Sequence, residues 1–552
     1  MEKTANNTLR LWQEEGNLLV SKNFEVFRSL LAQTRDLIQC GKYNDAVVYG
    51  QTAALYSFLR HCGLFVSPEL EQLFLTLGQK KIHQNLYFSY RNNKSQPEKV
   101  KHILHVATSV YGVGGHSAMI RRWIQQDNQR SHSIVLTQQP SVYLPKSLKD
   151  AVLNSHGKIY SLVETIGDVI SWAKRLRKIA RSADIVVLHI MPADVIPIIA
   201  FANKEECPPI IFINHADTGM WLGASISDVI ANLRFSGMRL SLKRRGIAPE
   251  RNLMLPIILN PIHRTLNRVE AKRIIGIDEN TVLLLSIARS AKYKTIDGIT
   301  FADAHVPLLE KYQQAILIVI GANQSEDWSK AIEHCNGRIK VFPEREDTEI
   351  FYQAADIYVD SFPLASNTSL LEAGSYGVPL VSRYPYSDDC GILGADTPAL
   401  DQQLIRVRDL EEYTAVLSSL VEDEKFRLSI GEQTKRKIVE IHTGSNWQSF
   451  LENIYSQATT LPRITLSSQP MTDEMMIGEL DALLPKILSY ASGQDKINVD
   501  ELIQGHPFPK TFAQQVRVWL KTIEIYGFGR GQIQHLLPSW LYWRLRKLIS
   551  AN

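Results

Sequence analysis

Two cations directly follow a run of apolar residues. The run TVLLLSIA (281–288) has the near-continuous Val, Leu and Ile content of a strand that is buried on both faces, and Arg289 and Lys294 follow it. Arginine offers a fork of donors and lysine a point charge, and two fixed cations of this kind suit a diphosphate. The alternative is a solvated charged loop, but such a loop has no reason to lie at a strand end. The pattern therefore favours a diphosphate site.

Residues 356–382, DIYVDSFPLASNTSLLEAGSYGVPLVS, join a predicted strand to a predicted helix. The strand is expected to end at Asp360, and the helix begins after a loop that contains proline. Capping-type residues at a helix start expose free N–H groups and hydroxyls, which together make a phosphate cradle. Glu372, one turn further, is placed to accept hydrogen bonds from ribose hydroxyls. The predicted cradle comprises Asn367, Thr368, Ser369 and Leu370.

A glycine-rich turn, TSVYGVGGHSAMIRRWI, follows the predicted strand HILHVA (102–107). Gly112, Gly114 and Gly115 permit positive φ and a close approach of the backbone to a ligand. A helix that opens at His116 has N-terminal N–H groups that favour an anion or a sugar hydroxyl. Because G-x-G-G is not the G-x-G-x-x-G spacing of dinucleotide-binding proteins, a purely structural turn is the alternative.

His215 and Asp217 follow the predicted strand PIIFIN (209–214). A histidine near a carboxylate can exchange a proton with a substrate hydroxyl, so the two residues are candidates for acid–base chemistry. A histidine with a structural role is the alternative. His189, at the end of the run DIVVLHI (184–190), is interpreted as a core or supporting residue.

These stretches lie at the carboxyl ends of strands within two series of Val-, Ile- and Leu-rich runs, which helical segments separate. Such runs are typical of parallel strands that right-handed βαβ crossovers connect. The two series divide near residues 258–275. We therefore predict an α/β fold of two facing Rossmann-like domains, with the chemistry in the cleft between them. The remaining predicted strands are SIVLT (133–137), AILIVIG (315–321), RIKVF (338–342) and PLVS (379–382).

Helical segments flank this α/β region. Near the start, CGKYNDAVVYGQTAAL resembles one half of a tetratricopeptide unit. The ending PSWLYWRLRKLISAN is basic and amphipathic, which predicts either a helix packed on the domains or contact with an anionic membrane surface. The flanks also offer surfaces for an oligomer. The predicted division is a helical appendage (1–95), two Rossmann-like domains (96–265 and 266–460) and a helical extension (461–552).

Composition excludes several classes of protein. The 552 residues are 45% hydrophobic and 21% charged, which excludes disordered and collagen-like chains. The balance of 61 basic and 57 acidic residues, net +4, argues against nucleic acid as the principal partner. Five widely spaced cysteines without a C-x-x-C pair indicate reduced thiols rather than a zinc site. We identify no signal peptide and no uninterrupted apolar span, so we expect a cytoplasmic protein, with peripheral contact at the inner membrane face as the alternative.

With these motifs in view, residues 101–455 resemble a glycosyltransferase of the GT-B architecture, and their second half resembles glycosyl transferases group 1 (family 4). That family has an Arg after its first C-domain strand and a Lys five residues on, which Arg289 and Lys294 match. IFYQAADIYVDSFP is similar to its "LY..AD" entry, and LLEAGSYGVPLVS to its "LLEAMA.G.PVV" motif. The resemblance therefore places Glu372 on the ribose-binding glutamate.

For the first half, the resemblance implies positions around the donor. Gly114 and Gly115 look like the family's N-domain loop near the donor phosphates and sugar. His215 lies where the family often has a strand-end histidine that faces the transferred sugar. The 96–265 domain is then the acceptor domain and the 266–460 domain the nucleotide-sugar donor domain.

One position departs from the family pattern. The family's other motif glutamate lies eight residues before the ribose-binding one, and Leu364 occupies that position here. The stretch VDSFPLASNTSLLEAGSYGVPLV is instead similar to the "DTFP…TT…EAL..GVPVV" motif of O-GlcNAc-transferase-like enzymes, which serves an inverting reaction. Retention and inversion both stay open. In an inverting reaction His215 or Asp217 would be the general base, and in a retaining one His215 would contact the sugar.

The resemblance implies transfer of a sugar from a nucleotide-sugar, with UDP slightly favoured, to a glycan, lipid or protein hydroxyl. Arg289, Lys294 and the helix start at 368–370 would stabilise the leaving diphosphate, so neither a metal ion nor a separate cofactor is expected. A nucleotide-sugar 2-epimerase and a catalytically inactive accessory subunit of the same architecture are the alternatives.

Overall fold

The structure is a computed structural model that describes most of the chain. The described ranges are 2–82, 99–112, 114–262, 264–295, 299–322, 326–464, 473–491, 497–510, 512–526 and 536–550. The predicted domain boundary at residues 95 and 96 lies outside the described residues.

Within these ranges, the first sheet has seven parallel strands in the order β3-β2-β1-β4-β5-β6-β7. Its inner strands are buried on both faces, because helices cover both, which accounts for their continuous apolar runs, whereas the two edge strands are partly exposed. The strands are β1 (His102–Ala107), β2 (Ser131–Leu136), β3 (Ile159–Ser161), β4 (Ile185–His189), β5 (Ile210–Asn214), β6 (Val229–Asn232) and β7 (Asn252–Met254).

The second sheet, again in the described ranges, has six parallel strands in the order β10-β9-β8-β11-β12-β13. The two sheets place the carboxyl ends of β1 and β8, the central strands, on opposite walls of one cleft. The strands are β8 (Val282–Ile287), β9 (Ala315–Ile320), β10 (Ile339–Phe342), β11 (Ile357–Val359), β12 (Leu380–Arg383) and β13 (Leu404–Val407).

The helices fall into three groups along the chain. Before the first sheet lie α1 (Glu2–Gln39), α2 (Tyr43–Leu59) and α3 (Pro68–Lys81). Among the strands lie α4 (Gly115–Gln126), α5 (Lys146–Asn154), α6 (Val169–Ala180), α7 (Ile196–Ala200), α8 (Phe235–Arg244), α9 (Arg268–Ile274), α10 (Val306–Lys311), α11 (Glu326–His334), α12 (Glu349–Ala354), α13 (Asn367–Ser375) and α14 (Leu400–Gln403). After the second sheet lie α15 (Leu410–Glu422), α16 (Glu424–His442), α17 (Gly444–Thr460), α18 (Glu479–Ala491), α19 (Val499–Gly505), α20 (Phe512–Tyr526) and α21 (Ser539–Ser550).

The predicted α/β fold of two Rossmann-like domains with helical flanks is confirmed. Every strand predicted above is present within two residues of its expected ends. The structure adds β3, β6, β7 and β13, which the sequence did not reveal. Each is only three or four residues long, too short to form a distinctive apolar run.

Helix α1 packs on both domains. Phe27 and Leu30 join the core of the first domain, together with Ile199 of α7. Trp12, nearer the start of the same helix, joins the core of the second domain, together with Leu484 of α18. Helix α1 has 38 residues and is therefore about 57 Å long, enough to reach both domains. We call α1 and α18 the helical brace.

A buried polar cluster ties the brace to the first domain. Asp481 of α18 accepts a hydrogen bond from Arg244 of α8 at 2.9 Å and lies 2.7 Å from His61 Nε2. His61 and Asp481 are both almost fully buried. An ion pair in such surroundings is costly to break from one side, so it fixes where the brace lies.

A second connection between the domains comes from α17. Trp447, Leu451 and Ile454 of this helix pack with Ile103 and Ile211 of the first sheet, although α17 follows the second sheet in the chain. The first domain is therefore covered on one face by a helix from the far end of the α/β region.

The C-terminal helix α21 packs on the first domain. The ring of Trp543 meets that of Tyr143 edge to face at 5.5 Å, and Arg546 donates to the Tyr143 hydroxyl at 2.8 Å. Contact of this segment with a membrane surface stays a prediction. In the described part of the chain, no helix combines the length and the apolar content needed to cross a membrane.

Candidate functional site

A cleft of about 1180 Å³ lies between the two domains. It brings together most of the residues that the sequence singles out. Two predicted site residues are not among the described residues that line the cleft: Leu370 of α13, which is fully buried in the core, and Lys294. The predicted site residues on its walls are Gly114, Gly115, His215, Asp217, Arg289, Asn367, Thr368, Ser369 and Glu372.

The glycine-rich turn approaches the second domain closely. A Cβ atom added to Gly115 would lie 2.7 Å from the Thr368 hydroxyl oxygen, and one added to Gly114 would lie 3.1 Å from Arg289 Nη2. Gly114 also has φ of +124°, which strains any other residue. Glycine is therefore required here for two reasons: the backbone conformation and the narrow gap across the cleft.

Two cations follow β8 into the cleft. Arg289 is exposed on the cleft wall, and Lys292 lines the same wall with its Nζ 2.8 Å from the Ala365 carbonyl oxygen. Burial lowers the pKa of Lys292 to about 8, although the nearby Asp360 carboxylate acts in the opposite direction. Lys294, by contrast, donates its backbone N–H to the Phe362 carbonyl at 2.9 Å. The structure thus places Lys292 rather than Lys294 beside Arg289 on the cleft wall.

The start of α13 faces these cations. Asp360, just past the end of β11, accepts hydrogen bonds at 2.9 Å from the backbone N–H groups of Ser361 and Ser366, and this holds the loop before the helix. The N–H groups of Asn367, Thr368 and Ser369 belong to the first turn, where a helix offers them no intrahelical acceptor. The helix start therefore presents donors and a partial positive charge to the cleft.

Glu372 forms an ion pair across the cleft. Its Oε1 accepts a hydrogen bond from Arg122 of α4 at 2.8 Å, and Arg122 also donates to the Ile258 carbonyl at 3.4 Å. Both side chains line the cleft, and a quarter of the Glu372 side chain is exposed. A ligand hydroxyl at Glu372 therefore has to share the carboxylate with Arg122.

Asp217 is held in an ion pair with Arg234. Both of its carboxylate oxygens accept hydrogen bonds from Arg234, at 2.7 and 2.5 Å, and its carbonyl accepts one from Arg245 at 2.8 Å. The carboxylate is buried. In this structure Asp217 therefore fixes Arg234, which also donates to the Gly394 carbonyl of the second domain, and a role of Asp217 as the general base stays a prediction.

His215 is better placed for acid–base chemistry. Its Nδ1 lies 3.1 Å from the Ile213 carbonyl oxygen, so this nitrogen carries the proton and Nε2 is the acceptor. Burial lowers the pKa of His215, which keeps the ring neutral near pH 7. A neutral ring with a fixed acceptor nitrogen can receive a hydroxyl proton.

Residues 267–437 match the family model described as glycosyl transferases group 1. This second half of the α/β region is similar to the group 1 glycosyltransferases. The match includes the whole second sheet, together with Arg289, the α13 start and Glu372. A comparison with curated proteins finds no match.

Solved structures give the fold of the larger unit. A glycosyltransferase from Rickettsia africae is 11% identical, with a TM-score of 0.50, and the alignment covers 65% of this chain and 99% of that one. HepE of Anabaena in complex with UDP and glucose is 14% identical, with a TM-score of 0.49 and coverage of 66% and 100%. The O-GlcNAc transferase of Thermobaculum terrenum is 15% identical, with a TM-score of 0.44 and coverage of 82% and 85%. The fold of this larger unit is GT-B.

Sequence reasoning did not place three residues that line the cleft: Lys292, Arg122 and His116. Lys292 lies in the same loop as Arg289, but the spacing of the family motif directs attention to Lys294. Arg122 lies two turns into α4, where a charged residue looks like part of a solvated helix face. The sequence places His116 only at the start of a helix, because the glycine-rich turn before it does not indicate which side chains the His116 ring contacts.

Replacing Glu372 by alanine is expected to weaken the binding of a nucleoside diphosphate about tenfold, or about 1.4 kcal/mol, because a carboxylate that accepts ribose hydroxyls is lost. Calorimetric titration of the full chain measures the effect. Glu411→Ala, an exposed change on α15, is the matched control and should leave the affinity unaltered. Equal affinities of Glu372→Ala and the control would remove Glu372 from the nucleotide site.

The stability of the protein is expected to fall as the pH is lowered from 7.5 to 5.5. Burial lowers the pKa of eight histidines in the described part of the chain: to about 3 for His116 and His506, to about 4 for His305, and also for His61, His105, His189, His215 and His442. Because the unfolded chain then binds more protons, their contribution to stability is complete above about pH 6.5 and is lost as the pH falls toward the folded values. Each such histidine contributes a slope of about 1.4 kcal/mol per pH unit.

Four carboxyls among the described residues act in the opposite direction, since burial raises the pKa of Asp360 and of Asp473 to about 6 and also raises that of Glu71 and of Asp194. The histidines outnumber them, so the net slope stays positive. Thermal unfolding at pH 7.5, 6.5 and 5.5 measures it, and His305→Gln should give a shallower slope. A melting temperature that is constant over this range would disprove the expectation.

Proposed function

We propose that this cleft transfers a sugar from a nucleoside diphosphate sugar to an acceptor hydroxyl. The observation that carries the proposal is the cleft itself, in which Arg289 and the α13 start line one wall and the glycine turn at Gly114 and Gly115 lines the other. The second domain, which is similar to the group 1 glycosyltransferases, supplies the wall of Arg289 and the α13 start, which agrees with its proposed role as the donor side.

The proposed chemistry at the donor is electrostatic. Negative charge develops on the diphosphate as the bond to the sugar breaks. Arg289, Lys292 and the N-terminal N–H groups of α13 are fixed before the reaction, so they stabilise this charge without reorganisation. The proposal includes no metal ion, because these groups supply the positive charge.

The first domain is proposed to hold the acceptor. His215 follows β5 on that wall, and its Nε2 is the acceptor nitrogen. In an inverting reaction Nε2 takes the proton of the acceptor hydroxyl, and in a retaining one it accepts a hydrogen bond from the transferred sugar. The anomeric proton of the product, observed by NMR, distinguishes the two courses.

The first experiment is a thermal-shift comparison of UDP, GDP, ADP and CMP with the full chain. A ligand at one hundred times its Kd stabilises the folded state by about 2.7 kcal/mol, so the preferred nucleotide gives a clear rise in melting temperature. We expect UDP to give the largest rise, because the donor motif resembles that of O-GlcNAc-transferase-like enzymes. No rise with any of these nucleotides at millimolar concentration would contradict the proposal.

The second experiment separates transfer from the other reactions of this architecture. The sugar derivatives of the preferred nucleotide are incubated with a glycan, a lipid or a peptide acceptor, and the products are analysed by mass spectrometry. Glycosylation of one acceptor is the expected result. Interconversion of the donor without transfer would identify a 2-epimerase, and tight binding without any turnover would identify an accessory subunit.

A further inference from the structure

Three histidines form a buried row across the first sheet. His132 of β2, His105 of β1 and His189 of β4 are each at most 1% exposed. His105 Nε2 lies 3.0 Å from His132 Nδ1, and His105 Nδ1 lies 3.0 Å from His189 Nε2. We call these three residues the histidine row. The proposed transfer reaction makes no use of them.

In a row of neutral rings, Asp127 fixes the direction of every hydrogen bond. His132 Nε2 lies 2.9 Å from the Asp127 carbonyl oxygen and 3.4 Å from its carboxylate, and both of these groups only accept. His132 Nε2 therefore carries the proton, and Nδ1 of this ring accepts one from His105 Nε2. By the same argument His189 Nε2 donates to His105 Nδ1. One tautomer, Nε2–H, follows for all three rings.

The row lies directly under the helix that carries a cleft histidine. Trp123 of α4 packs edge-on against His105 and His189, with ring centroids 5.6 Å apart in both pairs. At the start of the same helix, His116 donates from Nε2 to the His189 carbonyl oxygen at 3.1 Å. His189 thus contacts α4 near both ends: its ring meets Trp123 and its carbonyl meets His116.

His116 and His215 stack on the cleft wall with ring centroids 4.4 Å apart. Because the His189 carbonyl fixes the proton of His116 on Nε2, its Nδ1 is an acceptor. The Ile213 carbonyl fixes the proton of His215 on Nδ1, so its Nε2 is an acceptor. The pair therefore offers one acceptor nitrogen on each of two stacked rings, which suits hydroxyl groups rather than an anion.

We propose that His116 is a second hydroxyl-binding residue of the reaction centre, that it and His215 together bind neighbouring hydroxyls of one sugar ring, and that the histidine row positions it. This inference rests on the proposed function. The sugar ring belongs either to the acceptor or to the transferred sugar, since both present neighbouring hydroxyls.

The test compares two replacements of His116 in the full chain. In His116→Gln the amide nitrogen can donate to the His189 carbonyl while its oxygen accepts a hydroxyl, whereas His116→Leu can do neither. We expect the leucine variant to lose at least tenfold in transfer rate and the glutamine variant to stay within threefold of the wild type. Both should bind UDP as the wild type does, because the proposal assigns His116 to a sugar ring and not to the nucleotide.

The kinetic constants identify the source of the hydroxyls. A rise in the acceptor KM alone assigns them to the acceptor, and a loss of affinity for the UDP-sugar but not for UDP assigns them to the transferred sugar. Undiminished transfer by His116→Leu would overturn the inference and leave the proposed function intact. Failure of the wild type to bind a nucleotide or to transfer sugar would instead overturn the proposed function.

The positioning role of the histidine row is tested with measurements that a purely structural role would leave unchanged. Imidazole 15N NMR of the wild type should show His132, His105, His189 and His116 as Nε2–H tautomers and His215 as Nδ1–H. His105→Gln keeps one donor and one acceptor and should preserve both the His116 tautomer and kcat. His105→Leu should lower kcat at least fivefold with the donor KM unchanged. An Nδ1–H tautomer of His189 in the wild type, or full kcat in His105→Leu, would overturn the positioning role.

Discussion

Replacing Arg289 by alanine is expected to lower kcat/KM for sugar transfer at least a hundredfold, or about 2.7 kcal/mol, while the protein still folds. The size of the effect follows from the loss of a fixed donor aimed at developing charge, which typically costs this much in the transition state. Folding is preserved because Arg289 is exposed on the cleft wall and not part of the core. Steady-state kinetics with the preferred donor measures the loss, and circular dichroism checks the fold.

The matched control is Arg273→Ala. This arginine is exposed on α9 of the same domain, where it pairs with Glu279 at 3.2 Å, so its removal should leave transfer unaltered. The lysines of the Arg289 loop make a second comparison. Lys292 lines the cleft and Lys294 does not, so Lys292→Ala should cost more activity than Lys294→Ala. Near-wild-type kinetics of Arg289→Ala would refute the donor-site assignment.

Replacing Asp217 by alanine is expected to lower the free energy of unfolding by about 3–5 kcal/mol. The substitution leaves Arg234 without its ion-pair partner, because this arginine is nine-tenths buried and would lose both contacts with the carboxylate. Arginine stays protonated in proteins, so Arg234 would keep its charge after the Asp217 carboxylate is removed. Denaturant unfolding of the purified variant measures the loss.

His215→Ala is the matched comparison at the same strand end. It removes no ion-pair partner, so the free energy of unfolding should change by about 1 kcal/mol or less, while transfer falls. The double variant Asp217→Ala, Arg234→Met should recover part of the stability, because no buried charge remains unpaired. An Asp217→Ala protein as stable as the wild type, with its activity lost, would favour Asp217 as the general base.

The contrast between these two residues shows how far sequence reasoning reaches. His215 and Asp217 were predictable as strand-end residues, because a parallel strand delivers its next residues to the cleft. Their different roles were not, because the partner of Asp217 is Arg234, which lies beyond the next strand. Long-range pairing of this kind leaves no local signal in a single sequence.

The same distinction between local patterns and long-range contacts holds for the fold. Long buried strands such as β1 and β8 were predicted within a residue of their ends, since both faces of each strand had to be apolar. Short strands such as β3 and β7 at the sheet edges were missed. The histidine row was also missed, because its members come from three separate strands and become neighbours only through the register of the sheet.

The helical brace has a consequence for synthesis on the ribosome. Helix α1 is made first, yet the core that buries Trp12 includes Leu484 and Leu488 of α18, near the other end of the chain. Domains generally fold as they emerge, the N-terminal one first. The apolar face of α1 that meets the second domain therefore stays exposed until almost the entire polypeptide has been translated. We therefore expect the nascent chain to bind a holding chaperone at α1. We also expect versions truncated before α18 to aggregate.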